Sequence, residues 1–420
     1  MPVIRSSAQP AVIGIAVLSL VLAACGSQPT AAPSKPAAGV SASADKPAFS
    51  ALVEKARQSN HVIRMGLEGT EPFIIKAKEE AFEKQFGFSL TLENEPGNTS
   101  RDIPVKIDKA AASGQGTVDL AVGGINTYIG TFRKGQFATP PWDALTQQWP
   151  LIAKLRQDVP QIGPNGNGAM LSDVCMHEGF ASWVATYNTT NVKADDVKGI
   201  KWEDLAADRW KGRLALDSQA LGLYVFPLAK GWSEDRLRIY AHNLGANGAK
   251  LISGGSAGVM QSIVQGEGDI GLVSATNVLQ SIKSGAPVNM AFPEFLPMQF
   301  RVTCLTNPGV NDPSMAALFW AWNNFEGIYL EAQLTGGGAL RFTPEEVDKL
   351  PLAARARDGG VTADGMVYPR SEAEEDATVK YRQIAIDGMN AGIRAGSKIT
   401  AARLLETLIG FVSGSPGARL

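Results

Sequence analysis

Short apolar strands alternate with helical stretches along the chain, and this alternation limits the available folds more than any other feature. Strands are predicted at 62–67, 88–92 and 118–122, with helical spacing between them, as at 103–113. Strands that alternate with helices in this way pair in parallel, and helices then cover both faces of the sheet. The first third of the chain therefore predicts a β-α-β-α-β unit of the α/β class.

The same pattern restarts after a stretch rich in proline and glycine at 142–179. Predicted strands at 181–189, 214–218 and 270–274, with a helix at 257–265, describe a second α/β unit. The part of the chain that can bury a core has about 370 residues, which is more than one hydrophobic core usually serves. We therefore expect two lobes.

The first 48 residues have the composition of an export signal followed by a tether. An apolar stretch at 11–22 is too short to span a bilayer stably, and the run from Leu22 to Cys25 resembles a bacterial lipobox. These features predict a lipoprotein signal peptide at 1–24 and lipidation of Cys25. The alternatives are an ordinary cleaved signal peptide with an incidental cysteine, and a membrane anchor that is not removed. Residues 25–48 are mainly Ala, Pro, Ser and Lys, so we expect a flexible tether.

The charge and cysteine content exclude several classes of protein. Without residues 1–24, which contain one of the 39 basic residues, the chain has 38 basic and 41 acidic residues and a net charge of −3. It has no basic run, so no nucleic-acid partner is expected. Cys175 and Cys304 are the cysteines besides Cys25, and neither lies in a C-x-x-C motif. We expect no metal site and no cofactor, and the sequence leaves open whether these two cysteines form a disulfide.

Four segments, taken in order, resemble the extracellular solute-binding proteins of bacterial ABC importers, in the branch that binds ferric iron, polyamines, thiamine or phosphonates. They are the lipobox with its tether; Tyr187-Asn188-Thr189 followed by Trp202-Glu203-Asp204-Leu205 and Trp210-Lys211-Gly212; Gly266-Glu267-Gly268-Asp269-Ile270-Gly271-Leu272; and Gly285-Ala286-Pro287-Val288 before Phe292-Pro293-Glu294. Their order and spacing extend over nearly the whole chain after residue 25.

The resemblance implies a two-lobed periplasmic-binding-protein fold of type II, in which two crossing strands form a hinge between parallel-rich sheets flanked by helices. On this chain the first crossing is expected near 180–187 and the return near 299–304. Lobe 1 would then comprise 49–179 and 301–420, and lobe 2 would comprise 180–300. The helical tail is expected to lie against lobe 1.

The resemblance also implies a function. The chain is expected to be the membrane-anchored solute-binding component of an ABC importer, with the permease subunits and, through acylated Cys25, a lipid bilayer as partners. It would act as a monomer, on the outer side of the cytoplasmic membrane or in the periplasm, and it would leave its solute chemically unchanged. Contacts made by both lobes exist only in the closed state, so a solute shifts the equilibrium toward closure. A binding lobe that reports to a sensor kinase is an alternative that the sequence does not distinguish.

The candidate binding residues are those at predicted strand ends and helix starts, where ligands of parallel sheets collect. In lobe 1 they are Glu68, Gly69, Thr70, Gly124, Asn126 and Thr127. In lobe 2 they are Ser218, Tyr224, Gly255, Ser256, Ser274, Thr276 and Asn277. Glycines before Ser256 expose N–H groups at a helix start, which suits an anion. The alternatives are that Ser256 only caps this helix and that Tyr224 packs in the core.

The tyrosines bear on which class of solute the protein binds. Ferric-iron members of the family commonly use adjacent tyrosines, and this sequence has no Tyr-Tyr, so Tyr224 with Glu68 or His61 would form a poor iron site. Abundant Gly, Ser, Thr and Asn at strand ends favour a small organic anion, with ferric iron as the alternative.

A lipid-anchored serine hydrolase is a third interpretation, because residues 254–258 match the motif G-x-S-x-G. That fold needs its histidine after the serine in the chain. The histidines, His61, His177 and His242, all precede Ser256. The sequence therefore disfavours an enzyme.

Overall fold

The structure, a computed structural model, describes residues 46–66, 72–94, 102–114, 116, 118–307, 312–337, 341 and 349–399. The predicted signal peptide, Cys25 and the tether up to residue 45 lie outside the described residues, and so do the candidate residues Glu68, Gly69 and Thr70. Within the described ranges, no helix combines the length and the apolar character needed to cross a membrane.

The first lobe is built on parallel strands, as the alternation predicts. Its elements up to residue 174 are α1 (Pro47–Arg57), β1 (Val62–Gly66), α2 (Pro72–Phe86), β2 (Thr91–Asn94), α3 (Asp102–Ser113), β3 (Leu120–Gly124), α4 (Ile125–Arg133), β4 (Phe137–Ala138), α5 (Trp142–Gln148), α6 (Leu151–Gln157) and α7 (Leu171–Val174). Strand β1 pairs in parallel with both β2 and β3. Helix α3 packs directly on this sheet, because a Cβ on Gly66 would lie 2.9 Å from Cγ2 of Ile103 and 2.9 Å from the carbonyl oxygen of Leu120.

The stretch 142–174, where the sequence shows little periodicity, contains three short helices, α5, α6 and α7. Pro141 and Pro150 stand at the N-caps of α5 and α6, where a proline does not remove a helical hydrogen bond. Each helix has seven residues or fewer. Helices of this length show too few turns to produce a repeat in the sequence.

The second lobe repeats the strand and helix alternation. Its elements are β5 (Cys175–Asn188), β6 (Leu214–Asp217), α8 (Glu234–Ala246), β7 (Lys250–Ile252), α9 (Gly255–Val264), β8 (Ile270–Ser274), α10 (Ala275–Lys283), β9 (Val288–Ala291) and β10 (Leu296–Thr306). Strand β6 pairs in parallel with β7 and β8. Strands β8 and β9 pair with β5 in the antiparallel direction.

Two long strands, β5 and β10, run from one lobe into the other and confirm the predicted hinge of crossing strands. They pair with each other from Cys175 and Cys304 to Ser182 and Met298. Strand β10 also pairs with β3 of the first lobe, and β5 continues alongside β8 of the second lobe. The strand order is therefore β2-β1-β3-β10-β5-β8-β6-β7. Both strands are longer than the predicted crossings at 180–187 and 299–304.

Cys175 and Cys304 form a disulfide, a question that the sequence leaves open. Cys175 and Cys304 are cross-strand neighbours in β5 and β10, with their Cα atoms 4.4 Å apart. The bond joins residues 129 positions apart in the chain. It fixes the two crossing strands to each other at their first-lobe end.

After β10 the chain returns to the first lobe, before its last helix joins the second lobe. The elements that follow are α11 (Pro313–Trp322), α12 (Ile328–Thr335), α13 (Pro351–Asp358), β11 (Met366–Val367) and α14 (Glu372–Ala395). As predicted, Asp312 caps α11: its Oδ1 accepts a hydrogen bond from the Ser314 N–H, 2.7 Å away. The sequence predicts one apolar face for this helix, but every residue from Met315 to Trp322 is buried, because α11 lies inside the lobe.

Helix α14 lies against α8 of the second lobe, which differs from the prediction that the tail buttresses the first lobe. Three glycines allow the two helices to approach closely. A Cβ on Gly388 would lie 2.9 Å from Cβ of Ala241, and Cβ atoms on Gly245 or Gly392 would overlap backbone carbonyl oxygens of the facing helix. The apolar side of α14 is buried in the same core as Trp183 and Tyr224. This shared burial explains why α14 joins the second lobe.

Candidate functional site

One face of the β5–β10 pair carries polar and aromatic side chains. Residues paired across antiparallel strands project to the same side of a sheet, and so do residues two apart on one strand. Gln299 pairs with Ala181, Trp183 lies two residues after Ala181, and Arg301 lies two residues after Gln299. Trp183 also pairs with Ser274 at the end of β8. Gln299, Arg301, Trp183 and Ser274 therefore share one face, which we call the ribbon face.

The start of α4 forms the first-lobe end of the ribbon face. Strand β3 ends at Gly124, which pairs with Arg301 of β10. Nε2 of Gln299 donates a hydrogen bond to Oδ1 of Asn126, 2.8 Å away, and Oγ1 of Thr127 lies 3.4 Å from the same oxygen. A Cβ on Gly124 would overlap the Gln299 amide, so glycine permits this approach. The structure thus brings together the candidates Gly124, Asn126 and Thr127, and it adds Gln299, which the sequence analysis missed.

An ion pair lies beside this helix start. Nε of Arg301 donates to Oε2 of Glu178 across 2.6 Å, with the two side chains 31% and 15% exposed. A β-bulge between Arg301 and Val302 makes Glu178 the extra residue of β5. The pair supplies one cation and one anion next to the candidate residues of α4.

The strand ends of the second lobe meet at one edge, as predicted. Ser218 follows β6, and its N–H donates to the carbonyl oxygen of Ile252 at the end of β7, 2.8 Å away. The buried carboxylate of Asp217 accepts N–H hydrogen bonds from Gln219, 2.8 Å away, and from Gly255 at the start of α9. Burial raises the pKa of Asp217, and these N–H donors oppose the rise. Asp217 therefore joins the candidates Ser218 and Gly255.

Ser256 forms a hydrogen bond between α9 and the end of β8 in the second lobe. The N-cap of α9 is Gly254, which has a left-handed conformation with a φ of 93°, so the prediction that Ser256 caps this helix is wrong. Oγ of Ser256 accepts a hydrogen bond from the N–H of Ser274, 3.1 Å away, which joins the start of α9 to the end of β8. Because the Asp217 carboxylate already accepts from Gly255, this helix start is partly neutralised. A contact between Ser256 and a solute remains a prediction.

Thr276 and Asn277 are half-buried in the first turn of α10, where the first lobe approaches them. A Cβ on Gly337, just after α12, would lie 2.8 Å from Cγ2 of Thr276. Nζ of Lys283 donates to the carbonyl oxygen of Gln333 in α12. These contacts close one side of the candidate site between α10 and α12.

Tyr224 is a core residue, as the alternative interpretation predicts. It lies in the 3₁₀ helix Leu223–Leu228 and is 1% exposed. Its ring centroid lies 5.8 Å from that of Trp183, and Cζ of Arg382 lies over the ring, 4.5 Å from its centroid. Burial raises the pKa of Tyr224. Through Trp183, this core residue borders the second-lobe end of the ribbon face.

Helix α14 contributes Glu375 and Arg382, which the sequence analysis missed. They are seven residues apart and therefore lie on the same side of the helix. Glu375 is 4% exposed, and burial, reinforced by the charges of Asp376 and Glu374, raises its pKa to about 8. Glu375 is therefore mostly uncharged at pH 7.

Replacing Glu375 by glutamine is expected to stabilise the protein near pH 8. The folded-state pKa lies above the ordinary value of 4.5, so the folded protein keeps a proton that the unfolded chain releases as the pH rises. Wild-type stability therefore falls between about pH 4.5 and about pH 8, at up to roughly 1.4 kcal/mol per pH unit, and levels off above that range. The variant lacks this loss, so it should exceed wild type by a few kcal/mol at pH 8 and match it near pH 4.5.

Urea unfolding at a series of pH values measures this difference. The matched control is Glu80→Gln on α2, where the carboxylate side chain is 69% exposed. That change should stay within about 0.5 kcal/mol of wild type at every pH. A wild-type stability that does not fall between pH 5 and pH 8 would contradict the expectation.

The metal and hydrolase interpretations gain no support from the described part of the chain. There, no three His, Cys, Asp or Glu side chains are grouped as a metal would require. Ser256 is inside α9, whereas a nucleophile elbow places its serine on the turn between strand and helix. His177 is buried against Phe300 on the opposite side of β10, with ring centroids 4.1 Å apart, and burial, together with the charge of Arg341, lowers its pKa to about 3.

Comparisons with known proteins establish the fold. No protein-family model and no curated protein sequence matches the chain. Among solved structures, the substrate-binding protein of an ABC transporter from Agrobacterium tumefaciens shares 14% identity and a TM-score of 0.58, over 79% of this chain and 95% of that chain. The Atu4243–GABA receptor shares 17% identity and a TM-score of 0.55, over 81% and 98%.

Iron-bound HitA from Pseudomonas aeruginosa shares 14% identity and a TM-score of 0.53, over 78% of this chain and 98% of that chain. At these identities the similarity concerns the fold alone. The chain has the two-lobed fold of these binding proteins, which confirms the predicted fold class.

Proposed function

We propose that this protein is the solute-binding component of an ABC import system and that it holds a small organic anion between its two lobes. The observation that carries the proposal is the convergence of helix starts from both lobes, those of α4, α9 and α10, around the ribbon face. The fold shared with known binding proteins supports it. Such a role needs no catalytic residue, because the solute is bound and released unchanged.

An organic anion suits the site because helix N-termini carry partial positive charge and expose N–H groups. Arg301 adds a guanidinium, held in place by Glu178. The proposed contacts are the candidates at strand ends and helix starts: Gly124, Asn126, Thr127, Ser218, Gly255, Ser256, Ser274, Thr276 and Asn277. Glu68, Gly69 and Thr70, which lie outside the described residues, stay as further candidates.

Ferric iron is the second candidate, because iron-bound HitA has a similar fold. Iron sites in proteins prefer ionised oxygen ligands. Burial raises the pKa of the Tyr224 phenol and so opposes its ionisation. We therefore place iron second.

We propose that residues 1–24 are cleaved, that Cys25 is acylated, and that the tether to residue 48 holds the folded body outside the cytoplasmic membrane. The lobes would divide at 179/180 and 300/301, with α14 reassigned to the second lobe. The closed monomer would deliver its solute to the permease subunits.

Thermal melting with a panel of compounds tests the proposed function. The panel contains succinate, methylphosphonate, a sugar phosphate, GABA and ferric citrate. A compound that binds at a hundredfold excess over its dissociation constant should stabilise the protein by about 2.7 kcal/mol, which shifts the melting temperature by several degrees. We expect an acidic organic compound to produce this shift and to be recovered unchanged.

The variant Gly124→Val should lose the shift, because its side chain overlaps the Gln299 amide on the ribbon face. A shift with ferric citrate alone would favour iron. Chemical turnover of any panel compound would contradict a purely binding role.

A further inference from the structure

A cluster of buried polar atoms lies between β5, the 3₁₀ helix Leu223–Leu228 and α14. Within the described residues, Nε1 of Trp183, the Tyr224 hydroxyl, Oε1 of Glu375 and Nε of Arg382 are all shielded from solvent, and none of these atoms makes a hydrogen bond of regular geometry. Trp183, Tyr224 and Glu375 are 4%, 1% and 4% exposed. We call these four side chains the buried polar cluster.

The four side chains are close neighbours. The ring centroids of Trp183 and Tyr224 lie 5.8 Å apart, and Cζ of Arg382 lies 4.5 Å from the centroid of the Tyr224 ring. The Arg382 side chain also interacts with the Tyr224 hydroxyl. Glu375 lies on the same side of α14 as Arg382, and it is close enough to Tyr224 to affect its phenol electrostatically. The four side chains therefore form one site and are not four unrelated buried polar groups.

Unpaired buried polar atoms cost free energy, and native proteins keep few of them without a reason such as a bound water, ion or ligand. The indole N–H, the guanidinium N–H and the phenol O–H are donors, and an uncharged Glu375 carboxyl offers a fourth. A group of donors with one fixed positive charge matches an anionic oxygen group. The charged groups around it are Arg382, Asp217, Glu374 and Asp376, and the Asp217 carboxylate is occupied by backbone N–H donors.

The cluster is continuous with the candidate solute site. Trp183 belongs to the ribbon face, two residues from Ala181, which pairs with Gln299. Gln299 in turn donates to Asn126 at the start of α4. A solute on the ribbon face would therefore have one end at α4 and the other at the buried polar cluster.

We propose that Trp183, Tyr224, Glu375 and Arg382 form an anion subsite that takes the acidic group, a carboxylate or a phosphonate, of the bound solute. This inference rests on the proposed function and names the part of the solute that the second lobe recognises. Helix α14 then determines solute specificity, with Arg382 as the charged contact and Tyr224 as its neighbour.

Isothermal titration of the full chain with succinate, methylphosphonate and inorganic phosphate, and with erythritol as a neutral probe, tests the subsite. An acidic organic probe should bind wild type, and erythritol should not. Arg382→Gln should weaken binding at least tenfold, and Tyr224→Phe should weaken it about fivefold. The matched control is Arg236→Gln, which removes an arginine that stacks on Trp232 in the same lobe but away from the ribbon face. The control should stay within twofold of wild type.

The melting temperature of the unliganded variants separates binding from folding. Tyr224→Phe keeps the ring and removes only a buried hydroxyl that makes no hydrogen bond of regular geometry, so the melting temperature of the free variant should stay within about 2 °C of wild type while its affinity falls. A side chain with only a structural role would not combine these two effects. The ratio of succinate to methylphosphonate affinity identifies which acidic group the subsite prefers, and binding of inorganic phosphate alone would show that an organic body is not needed.

Wild-type affinity in both Arg382→Gln and Tyr224→Phe would overturn the inference and leave the proposed function standing. Binding of erythritol by wild type, without binding of any acidic probe, would overturn both the subsite and the proposed anionic solute. If no compound bound wild type, the proposed function and the subsite would both be wrong.

Discussion

Replacement of Gly392 by alanine is expected to lower the free energy of unfolding by about 3 kcal/mol. A Cβ at this position of α14 would overlap the carbonyl oxygen of His242 in α8 and lie 2.7 Å from the backbone nitrogen of Ala246. Helix backbone cannot move aside as a flexible side chain can, so the two helices must separate along their packed length. Denaturant unfolding followed by circular dichroism measures the loss.

Gly130→Ala is the matched control for this change. Gly130 also lies within a helix, α4, but a Cβ there would meet nothing within 4 Å. Alanine should therefore stabilise α4 by up to about 1 kcal/mol, because glycine is the poorer helix former. Gly245→Ala, on the α8 side of the same contact, should destabilise the protein about as much as Gly392→Ala. A Gly392→Ala protein as stable as the control would contradict the close packing of α8 and α14.

Loss of the disulfide is expected to lower the free energy of unfolding by about 4 kcal/mol. The bond between Cys175 and Cys304 closes a loop of 129 residues, and a cross-link over so long a loop strongly restricts the unfolded chain. Both residues are fully buried, so the double variant Cys175→Ala/Cys304→Ala avoids leaving unpaired polar atoms in their place. The difference between the urea midpoints of wild type and variant gives the cost.

Dithiothreitol provides the control for this prediction. It should lower the midpoint of wild type nearly to that of the double variant, and it should leave the double variant unchanged. A wild-type midpoint that is insensitive to reductant, in a protein shown by thiol titration to be reduced, would contradict the expected contribution of the bond.

The predictions that held were those that depend on local sequence. Short apolar runs predict β1, β3, β6 and β8, and the resemblance to solute-binding proteins predicts the crossing strands. Asp312 before Pro313 predicts the start of α11, because both residues act within one helical turn. The ends of β6 and β7 meet at one edge, since parallel strands end on the same side. The role of the candidate residues at that edge stays a prediction.

The predictions that failed depend on contacts between distant parts of the chain. Nothing near Gly388 or Gly392 indicates that α14 packs on α8, because the partner residues lie about 145 positions earlier in the sequence. Arg382 and Glu375 were missed for the same reason. Gln299 and Arg301 could have been predicted from the sequence. They alternate with apolar residues in β10, which indicates a strand with one polar face.

The two crossing strands are supported very unevenly along their length. At the first-lobe end, the disulfide links β5 to β10, and β10 pairs with β3 from Arg301 onward. At the second-lobe end, β5 pairs with β8 from Trp183 onward. Between these supports, the pairs Phe180–Phe300, Ala181–Gln299 and Ser182–Met298 are flanked by neither β3 nor β8. We expect bending between the lobes to concentrate at these three residue pairs, and because Gln299 belongs to one of them, a solute bound to its amide would act at the bend.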